Sequence, residues 1–277
     1  MNKADFALFA RILKERSGLL MTAQKSYLIE SRLMPVAVKH GLASVGQLAD
    51  TLRAKPDAGL IRDMIEAMTT NESFFFRDIK PFEQFRTIVL PELLRARAAT
   101  RRLRLWSAAC AAGQEPYSLA MILADEQARL AGWRVTLLAS DISGEMVARA
   151  QAASYSQFEV GRGLPLKYLV RYFDPENDRW QLKPELSKMV QFRTINLLDD
   201  LTELGRFDAI FCRNVLIYFD QETKTSLLER VAGMLPPDGF LCLGGAETTL
   251  GVSDRFDAIA DQRGLYRPAA RAGGGGP

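Results

Sequence analysis

The feature that most constrains the fold is a regular alternation of apolar strands and helices after about residue 91. Parallel strands need long crossover connections, so this alternation predicts βαβ units and a doubly wound α/β sheet. The closing stretch 254–268 is suited to a hairpin or an edge strand. The predicted strands are 102–108, 133–142, 190–198, 206–214 and 239–245, and the predicted helices are 115–131, 143–155 and 221–235.

The first part of the chain has helical periodicity and no convincing strand. Apolar residues recur at helical spacing from Phe6 to Leu13, and this helix is expected to end at Ser17-Gly18. A second amphipathic stretch runs from about Lys25 to His40, and two shorter ones follow. The predicted organisation is an all-helical domain at 1–75, a linker at 76–90 and a sheet domain at 91–269.

One segment interrupts the alternation. Residues of about 155–188 separate the second helix from the third strand, which is too long for a simple connection. With "DPEND" (174–178) as a turn and "RWQLK" (179–183) as a short strand, the segment is interpreted as a small inserted β subdomain. The tail at 270–277 is expected to be flexible.

Composition excludes several classes of protein. The formal net charge of +3 over 277 residues is too small to argue for nucleic-acid binding. Cys110, Cys212 and Cys242 lack CxxC spacing, and the single histidine, His40, completes no usual zinc site. No apolar run reaches the roughly 18–20 residues that span a bilayer, and the N-terminus does not resemble a signal peptide. A soluble cytoplasmic protein without a metal is expected.

The stretch "LWSAACAAGQEPYSLA" (105–120) follows the first strand, where open α/β sheets bind ligands. A P-loop is excluded because no Gly-Lys-Ser/Thr follows, and the absence of GxGxxG weakens a dinucleotide site. Small residues still let a ligand approach the backbone, provided that only Gly113 needs a positive φ. A ligand without phosphates fits this loop better.

Polar groups follow the neighbouring strands. Asp141 is placed to accept from both ribose hydroxyls, Asn196 to bond an adenine edge with Leu197 packed on the ring, and Glu115 to meet an ammonium or sulfonium. Together they describe a nucleoside with a positively charged amino-acid arm, which S-adenosylmethionine matches. The alternatives are that Asp141 only caps a helix and that Asn196 is only a turn residue.

At this point the sequence resembles the CheR-type chemotaxis receptor methyltransferases. The resemblance covers about residues 1–269, and its elements occur in family order. It implies a class I S-adenosylmethionine-dependent (Rossmann-like) sheet with an N-terminal helical domain and an inserted β subdomain. The motifs that carry it are "TTNESFFFRD" (69–78), "WSAACAAGQEPYS" (106–118), "SDI" (140–142), "INLL" (195–198) and "FDAIFCRNVLIYFD" (207–220).

The resemblance implies methyl transfer from S-adenosylmethionine to glutamate side chains on a chemoreceptor's cytoplasmic helical bundle, with S-adenosylhomocysteine as the product. Arg77 and Tyr218 would stand closest to the reacting groups. Ser73 departs from the threonine that relatives often carry but keeps the hydroxyl, and Cys110 is expected to be a buried small hydrophobe. The residues expected to bind the cofactor are Asn71, Ser73, Arg77, Gly113, Glu115, Asp141, Asn196, Leu197, Arg213 and Asn214.

The chemistry of a carboxylate acceptor agrees with these motifs. A glutamate with a pKa of about 4.3 is already ionised at neutral pH, so no general base is needed, and the motifs offer none. Arg77 is suited to orient the incoming carboxylate through its planar fork, and Tyr218 to donate one hydrogen bond. The alternative for Tyr218 is a core residue in a strand-to-helix turn.

The helical domain is the expected receptor-facing part. Its basic residues outnumber Asp5, Glu15 and Glu30 over the first 40 residues, and a basic face would steer toward an acidic receptor bundle. The turn in the insertion looks short, so we expect no requirement for a receptor C-terminal tether peptide, and we expect a monomer. The basic residues are Lys3, Arg11, Lys14, Arg16, Lys25, Arg32 and Lys39.

Two other functions compete with this interpretation. A nucleic-acid or small-molecule methyltransferase is disfavoured because "CRNVLIYF" (212–219) replaces the Asn/Asp-Pro-Pro-aromatic motif of amino-group methylation. A non-catalytic module that only senses the cofactor is disfavoured by the presence of both Arg77 and Tyr218.

Overall fold

The computed structural model of the protein describes residues 1–270, and the tail that we expect to be flexible lies, from residue 271 on, outside the described residues. The N-terminal part is helical, as predicted. Side chains of Asn2, Ser44 and Asp57 cap three of its four helices, and Gly18 ends the first with a left-handed φ of 75°. The helices are α1 (Lys3–Ser17), α2 (Ser26–Lys39), α3 (Val45–Ala54) and α4 (Ala58–Met68).

A seven-stranded sheet forms the second part, with the order β6-β2-β1-β7-β8-β10-β9. The first five strands in that order are parallel, and the last two are antiparallel, which confirms the predicted closing hairpin. Its strands are β1 (Arg102–Ala108), β2 (Arg134–Asp141), β6 (Val190–Thr194), β7 (Ala209–Cys212), β8 (Phe240–Leu243), β9 (Phe256–Ala258) and β10 (Leu265–Pro268).

Helices cover both faces of the sheet. One face packs against the segment 75–94 and the helix Gln114–Asp125, which connects β1 to β2. The other face packs against the helix Gln221–Gly233, which precedes β8. Residues 80–89 of the expected linker are helical, and Phe82, Phe85 and Val89 are buried in the sheet domain's core. The helices are α5 (Lys80–Gln84), a π-helical turn (Phe85–Val89), α6 (Leu90–Ala96), α7 (Gln114–Asp125), α8 (Gly144–Ala152) and α12 (Gln221–Gly233).

The insertion is richer in helix than predicted. Its antiparallel sheet has the order β3-β5-β4, but three short helices accompany the strands. "DPEND" is not one turn, because Asp174 to Glu176 lie in a strand and the chain reverses at Asn177, whose φ is 55°. The elements are β3 (Ser154–Ser156), α9 (Gln157–Gly161), α10 (Leu166–Tyr172), β4 (Phe173–Glu176), β5 (Arg179–Leu182) and α11 (Pro184–Ser187).

The helical domain contacts the end of the sheet where the parallel strands finish. Glu66 of α4 accepts hydrogen bonds from the Ser143 hydroxyl and, at 2.6 Å, from the Gly144 amide at the start of α8. Asn196 Nδ2 donates to the Arg16 carbonyl at 2.7 Å, and Lys14 pairs with Asp220 at 2.6 Å. These contacts fix the first helices over the sheet edge.

Three of the seven cations in the expected basic face have partners within the protein. Lys14 pairs with Asp220, Arg32 donates to the carbonyls of Met68 and Thr69, and Lys39 pairs with Asp63. These three cations therefore have partners within the protein, although the Lys14 and Lys39 side chains are still 45% and 66% exposed. Lys3, Arg11, Arg16 and Lys25 are exposed and form no salt bridge within residues 1–270. Within residues 1–270, no helix combines the length and apolar character needed to cross a membrane.

Candidate active site

A pocket lies at the carboxyl ends of β1, β2, β6 and β7. It is lined by every predicted site residue except Gly113, so the structure brings together side chains that are 147 positions apart along the chain, from Asn71 to Tyr218. The predicted residues that line it are Asn71, Ser73, Arg77, Glu115, Asp141, Asn196, Leu197, Arg213, Asn214 and Tyr218.

Gly113 is needed for the fold of the loop and not for the pocket wall. Its φ is 90°, and a Cβ there would stand 2.9 Å from the Ala150 Cβ. The expectation that only Gly113 needs a positive φ is wrong, because Ala109 (φ 59°) and Ala111 (φ 47°) also adopt it. Non-glycine residues in this region cost free energy, and such strain clusters at functional sites.

Hydrogen bonds to the end of β2 stabilise the strained loop. The Cys110 amide donates to the Ser140 carbonyl at 2.9 Å, and the Ala111 amide donates to Asp141 Oδ2 at 2.8 Å. Cys110 is buried, and burial raises the pKa of its thiol, so it is the small hydrophobe that the sequence predicts. Ala109 and Ala111 themselves face the pocket.

Asp141 is a buried carboxylate that does not act as the cap of α8. The N-cap is Ser143, which accepts from the Met146 amide, while Asp141 Oδ1 accepts from the Ser143 amide at 3.0 Å. Burial raises the pKa of Asp141, and the two amide hydrogen bonds only partly offset this effect. A ligand that donates hydroxyl groups to this carboxylate would stabilise its charged form.

Glu115 and Arg213 form a buried ion pair in the pocket wall. Glu115 Oε1 accepts from the Ser107 hydroxyl at 2.8 Å, and Oε2 accepts from Arg213 Nη1 at 2.7 Å. Burial raises the pKa of Glu115, and Arg213 opposes this rise. The Arg213 Nε is buried and has no hydrogen-bond partner in the described chain.

Arg213 also holds the segment that carries Arg77. Its Nη2 donates to the Arg77 carbonyl at 2.8 Å and to Asp78 Oδ2 at 2.9 Å. Asp78 (φ 69°) and Ile79 (φ 48°) have left-handed backbones, which is a marked outlier for the β-branched Ile79. The segment is therefore strained, and Arg213 is one of the groups that stabilise it.

The Arg77 side chain is half-buried at the pocket. Its Nη1 donates to the Glu72 carbonyl at 2.7 Å, and its guanidinium lies 5.6 Å from the centre of the Phe74 ring. Tyr218 is half-buried, lines the same pocket and packs against the core under α12. Tyr218 was predicted to be either a site residue or a core residue, and its position fits both descriptions.

Asn196 lines the pocket, but its side-chain atoms already have protein partners. Nδ2 donates to the Arg16 carbonyl, and Oδ1 accepts from the Leu198 amide at 3.0 Å. The alternative that Asn196 is a turn residue is therefore correct for Oδ1, which accepts from an amide two residues further on. The Nδ2 group connects the sheet domain to the helical domain. The neighbouring Leu197 is only 7% exposed and presents an apolar surface to the pocket.

Sequence reasoning missed two kinds of site residue. The first comes from the helical domain, since Ser17 and Leu19 line the pocket only because α1 docks on the sheet. The second is Glu247, whose Oε2 accepts from the Asn214 amide at 2.8 Å and from the Gly244 amide at 2.7 Å. Its pairing stabilises Asn214 at a φ of 58°. A charged residue just after a buried strand was the available signal for Glu247.

The arrangement favours positioning chemistry over acid–base chemistry. The pocket is lined by carboxylates, arginines and amides, without a histidine or a cysteine side chain. No group of three or more potential metal ligands is clustered anywhere in residues 1–270. What the site offers is two buried carboxylates for a ligand's hydroxyl and cationic groups, and Arg77 for an anionic reactant.

Two family models match the chain. The CheR methyltransferase all-alpha domain matches residues 4–69, and the CheR methyltransferase SAM binding domain matches residues 71–265. Their junction falls between α4 and the segment that carries Asn71 and Arg77.

Curated relatives are similar along nearly their whole length. Chemotaxis protein methyltransferase 1 of Pseudomonas aeruginosa is 43% identical, and the match covers 95% of this chain and 97% of that protein. Chemotaxis protein methyltransferase Cher2 of Pseudomonas putida is 40% identical, with 96% and 98% covered. The chemotaxis protein methyltransferase of Escherichia coli is 34% identical, with 92% and 88% covered.

Proposed function

The chain belongs to the CheR methyltransferase family, and from this premise we propose that it methylates glutamate side chains on the cytoplasmic helical bundle of a chemoreceptor. The products are glutamate methyl esters and S-adenosylhomocysteine, and the modification serves sensory adaptation. The enzyme acts in the cytoplasm, where this part of the receptor lies.

One observation carries the proposal. A single pocket contains Asp141, Glu115 and Arg213 from the sheet domain together with Arg77 and Tyr218, which are suited to an anionic acceptor. Its lining includes no histidine, and its buried carboxylates, Glu115 and Asp141, already accept hydrogen bonds from Arg213 and from backbone amides. A site of this kind serves a nucleophile that is already ionised, and a glutamate carboxylate is ionised at neutral pH.

The residues present fit S-adenosylmethionine, which supplies an activated methyl group on a sulfonium. Asp141 is the acceptor for ribose hydroxyls, and the apolar surface of Leu197 suits the adenine ring. Glu115 supplies negative charge for the ammonium, and Arg213, which lines the same pocket, supplies positive charge for the ligand's carboxylate. Asn71, Ser73 and Asn214 add polar groups around the methionine arm. Asn196 contributes by fixing α1 over the pocket, because its Nδ2 is bonded to Arg16.

The chain's own residues then position the reaction. Arg77 orients the incoming carboxylate through charge-assisted hydrogen bonds, and Tyr218 donates one more. Strong neutralisation of the carboxylate would slow its attack, so the role of Arg77 is orientation. Leu19, which follows α1, adds an apolar side chain to the pocket lining, and a less hydrated pocket strengthens these interactions.

The exposed cations of the helical domain provide the receptor surface. Lys3, Arg11, Arg16 and Lys25 lie on the exposed side of α1 and the turn before α2. A surface with this charge accelerates association with an acidic, glutamate-rich bundle. We propose that one monomer acts on the bundle.

The insertion is not a tether-binding module in this proposal. Strand addition needs an edge with free backbone donors, and β4, at one edge of the small sheet, contains Pro175, which has no N–H. Calorimetric titration with receptor C-terminal peptides is expected to give no binding, and micromolar binding would contradict this part of the proposal.

The proposed function is tested with labelled S-adenosylmethionine and a receptor cytoplasmic fragment. We expect label on the fragment, and a loss of about 100-fold in kcat for Arg77→Ala, since misplaced reactants cost rates of this order. The matched control is Arg162→Ala, because Arg162 lies on the same Phe74 ring, 4.3 Å from its centre, but does not line the pocket. An Arg77→Ala enzyme as active as the control would refute the assignment.

A further inference from the structure

A second cluster of charge lies at the opposite end of the sheet from the pocket. Arg102 opens β1, and the pocket loop follows the other end of that strand, seven residues or roughly 20 Å away. The segment 95–104 contains five arginines and no acidic residue. The proposed methyltransferase chemistry uses none of them.

The sheet register places the arginines side by side. Arg102 of β1 pairs with Arg134 of β2, and Arg104 pairs with Thr136. Alternate residues share a face, so these four side chains line one cleft of about 270 Å³. Like charges directly opposite each other in a sheet are destabilising, which means that this arrangement has a cost in the free protein.

No carboxylate of the described residues forms a salt bridge with the arginines of this cleft. Among residues 1–270, the salt bridges include none from Arg102, Arg104, Arg134 or Arg206. The adjoining cleft, which Arg102, Arg104 and Arg206 help to line, also contains Asp208 and Asp238, but Arg97 already binds both aspartates at 2.7 Å. The hydrogen bonds from Arg97 lower the pKa of Asp238, and the Arg97 guanidinium neutralises the negative charge of this carboxylate.

One of the arginines is also immobilised. Arg104 donates to the Arg206 carbonyl and to the Leu204 carbonyl, each at 2.8 Å, and its guanidinium lies 4.6 Å from the centre of the Phe207 ring. Its partners are uncharged, so its positive charge is held in place and left available to an anion. Pre-ordered guanidinium groups bind phosphate with little further loss of entropy.

From these observations we propose that the cleft of Arg102, Arg104, Arg134 and Thr136 binds the phosphate groups of a small molecule with two or more adjacent phosphates. Guanidinium forks match phosphate oxygens bidentately, and Thr136 adds a hydroxyl donor. Neighbouring strands lie about 4.8 Å apart, a spacing that suits linked phosphates better than an extended acidic peptide. A membrane surface is disfavoured, because the cleft has no apolar side chain in its lining to insert into lipid.

Inorganic triphosphate is the probe that tests this site. Calorimetry is done on protein saturated with S-adenosylhomocysteine, so that the pocket at the other end of the sheet does not take up the anion. We expect one binding event that weakens with salt, and a loss of at least tenfold in affinity for the double variant Arg102→Gln, Arg134→Gln. The control, Arg171→Gln with Arg255→Gln, removes equal charge elsewhere and should bind as the unmodified protein does.

Unliganded stability separates binding from a structural role. Removing the paired arginines relieves repulsion, so the double variant should melt at the same temperature as the unmodified protein or higher, and should lose the rise in Tm that triphosphate causes. The proposal would be overturned if triphosphate did not bind, or if the control variant lost as much affinity as the double variant. It would also be overturned if the unliganded double variant had a lower Tm, or if the protein bound phosphatidylglycerol vesicles but not triphosphate.

Discussion

Arg213 Nη1 donates to Glu115 Oε2 at 2.7 Å, and the two side chains are 1% and 11% exposed. The same guanidinium reaches the Arg77 carbonyl, so one arginine connects the first turn of α7 with the segment that carries Arg77. The geometry of the cofactor wall and the placement of Arg77 therefore depend on one buried ion pair.

Removing one partner of this pair should be costly. Arg213→Met leaves Glu115 buried without its cation, and we expect the free energy of unfolding to fall by about 3–5 kcal/mol. Urea denaturation measures this loss. Adding Glu115→Gln to the variant should restore part of it.

The control for this prediction is Arg255→Met, because Arg255 pairs with Glu229 at 2.7 Å where both side chains are partly exposed. Such a pair contributes about 1 kcal/mol or less. If the free energy of unfolding fell equally in the two variants, the buried pair would stabilise the fold no more than an exposed pair does.

Glu66 should couple the helical domain to the cofactor pocket. It accepts from the Gly144 amide at 2.6 Å at the positive end of α8, just after Asp141. We expect Glu66→Gln to lower the free energy of unfolding by about 1 kcal/mol and to weaken S-adenosylhomocysteine binding severalfold by calorimetry. Glu145→Gln, at an exposed position in the same helical turn, is the control, and unchanged binding in Glu66→Gln would argue against the coupling.

Asp220 gives a pH-dependent signature of domain docking. The hydrogen bond from Lys14, with a smaller contribution from Thr223, lowers the pKa of Asp220 to about 2, against about 3.9 in an unfolded chain. A lowered carboxyl pKa stabilises the fold above the unfolded value, and this contribution is lost as the pH falls from about 4 toward 2.

The variant that isolates this charge is Asp220→Asn, because asparagine still caps α12 toward the Thr223 amide. Its urea midpoint should be below that of the unmodified protein at pH 7, and the difference should shrink as the pH approaches 2. A difference that stays constant with pH would mean that the ion pair does not stabilise docking.

Receptor binding should depend on the exposed cations that form no salt bridge within residues 1–270. Arg11→Glu with Lys25→Glu is expected to raise KM for a receptor fragment about tenfold, with kcat and Tm nearly unchanged and a weaker dependence on salt. In contrast, Lys39→Gln should act on Tm, since Lys39 pairs with Asp63 at 2.8 Å. A KM that the double variant leaves unchanged would place the receptor surface elsewhere.

Local signals in the sequence were enough for most elements. The four N-terminal helices follow from apolar spacing, and Glu115, Asp141, Asn196 and Leu197 follow from their positions after strands. These features depend on neighbours in the chain, and the sequence records them directly. The other predicted pocket residues were indicated only by the resemblance to a known family: Asn71, Ser73, Arg77, Arg213, Asn214 and Tyr218.

Features that depend on distant contacts were not predictable in this way. Ser17 and Leu19 reach the pocket only through docking of α1, and Ala109 and Ala111 tolerate a positive φ because the end of β2 supplies hydrogen bonds to their loop. The helices of the insertion were missed because α9 has five residues and α10 has seven, too few for a clear periodicity.

The central claim is that the pocket delivers a methyl group to a carboxylate, and the chemical stability of the product tests it most directly. Receptor fragment labelled by the enzyme is treated with mild alkali, and volatile label is measured. Glutamate methyl esters should hydrolyse and release the label as methanol. Label that stays on the protein after alkali would identify an amine or another alkali-stable acceptor and contradict the account.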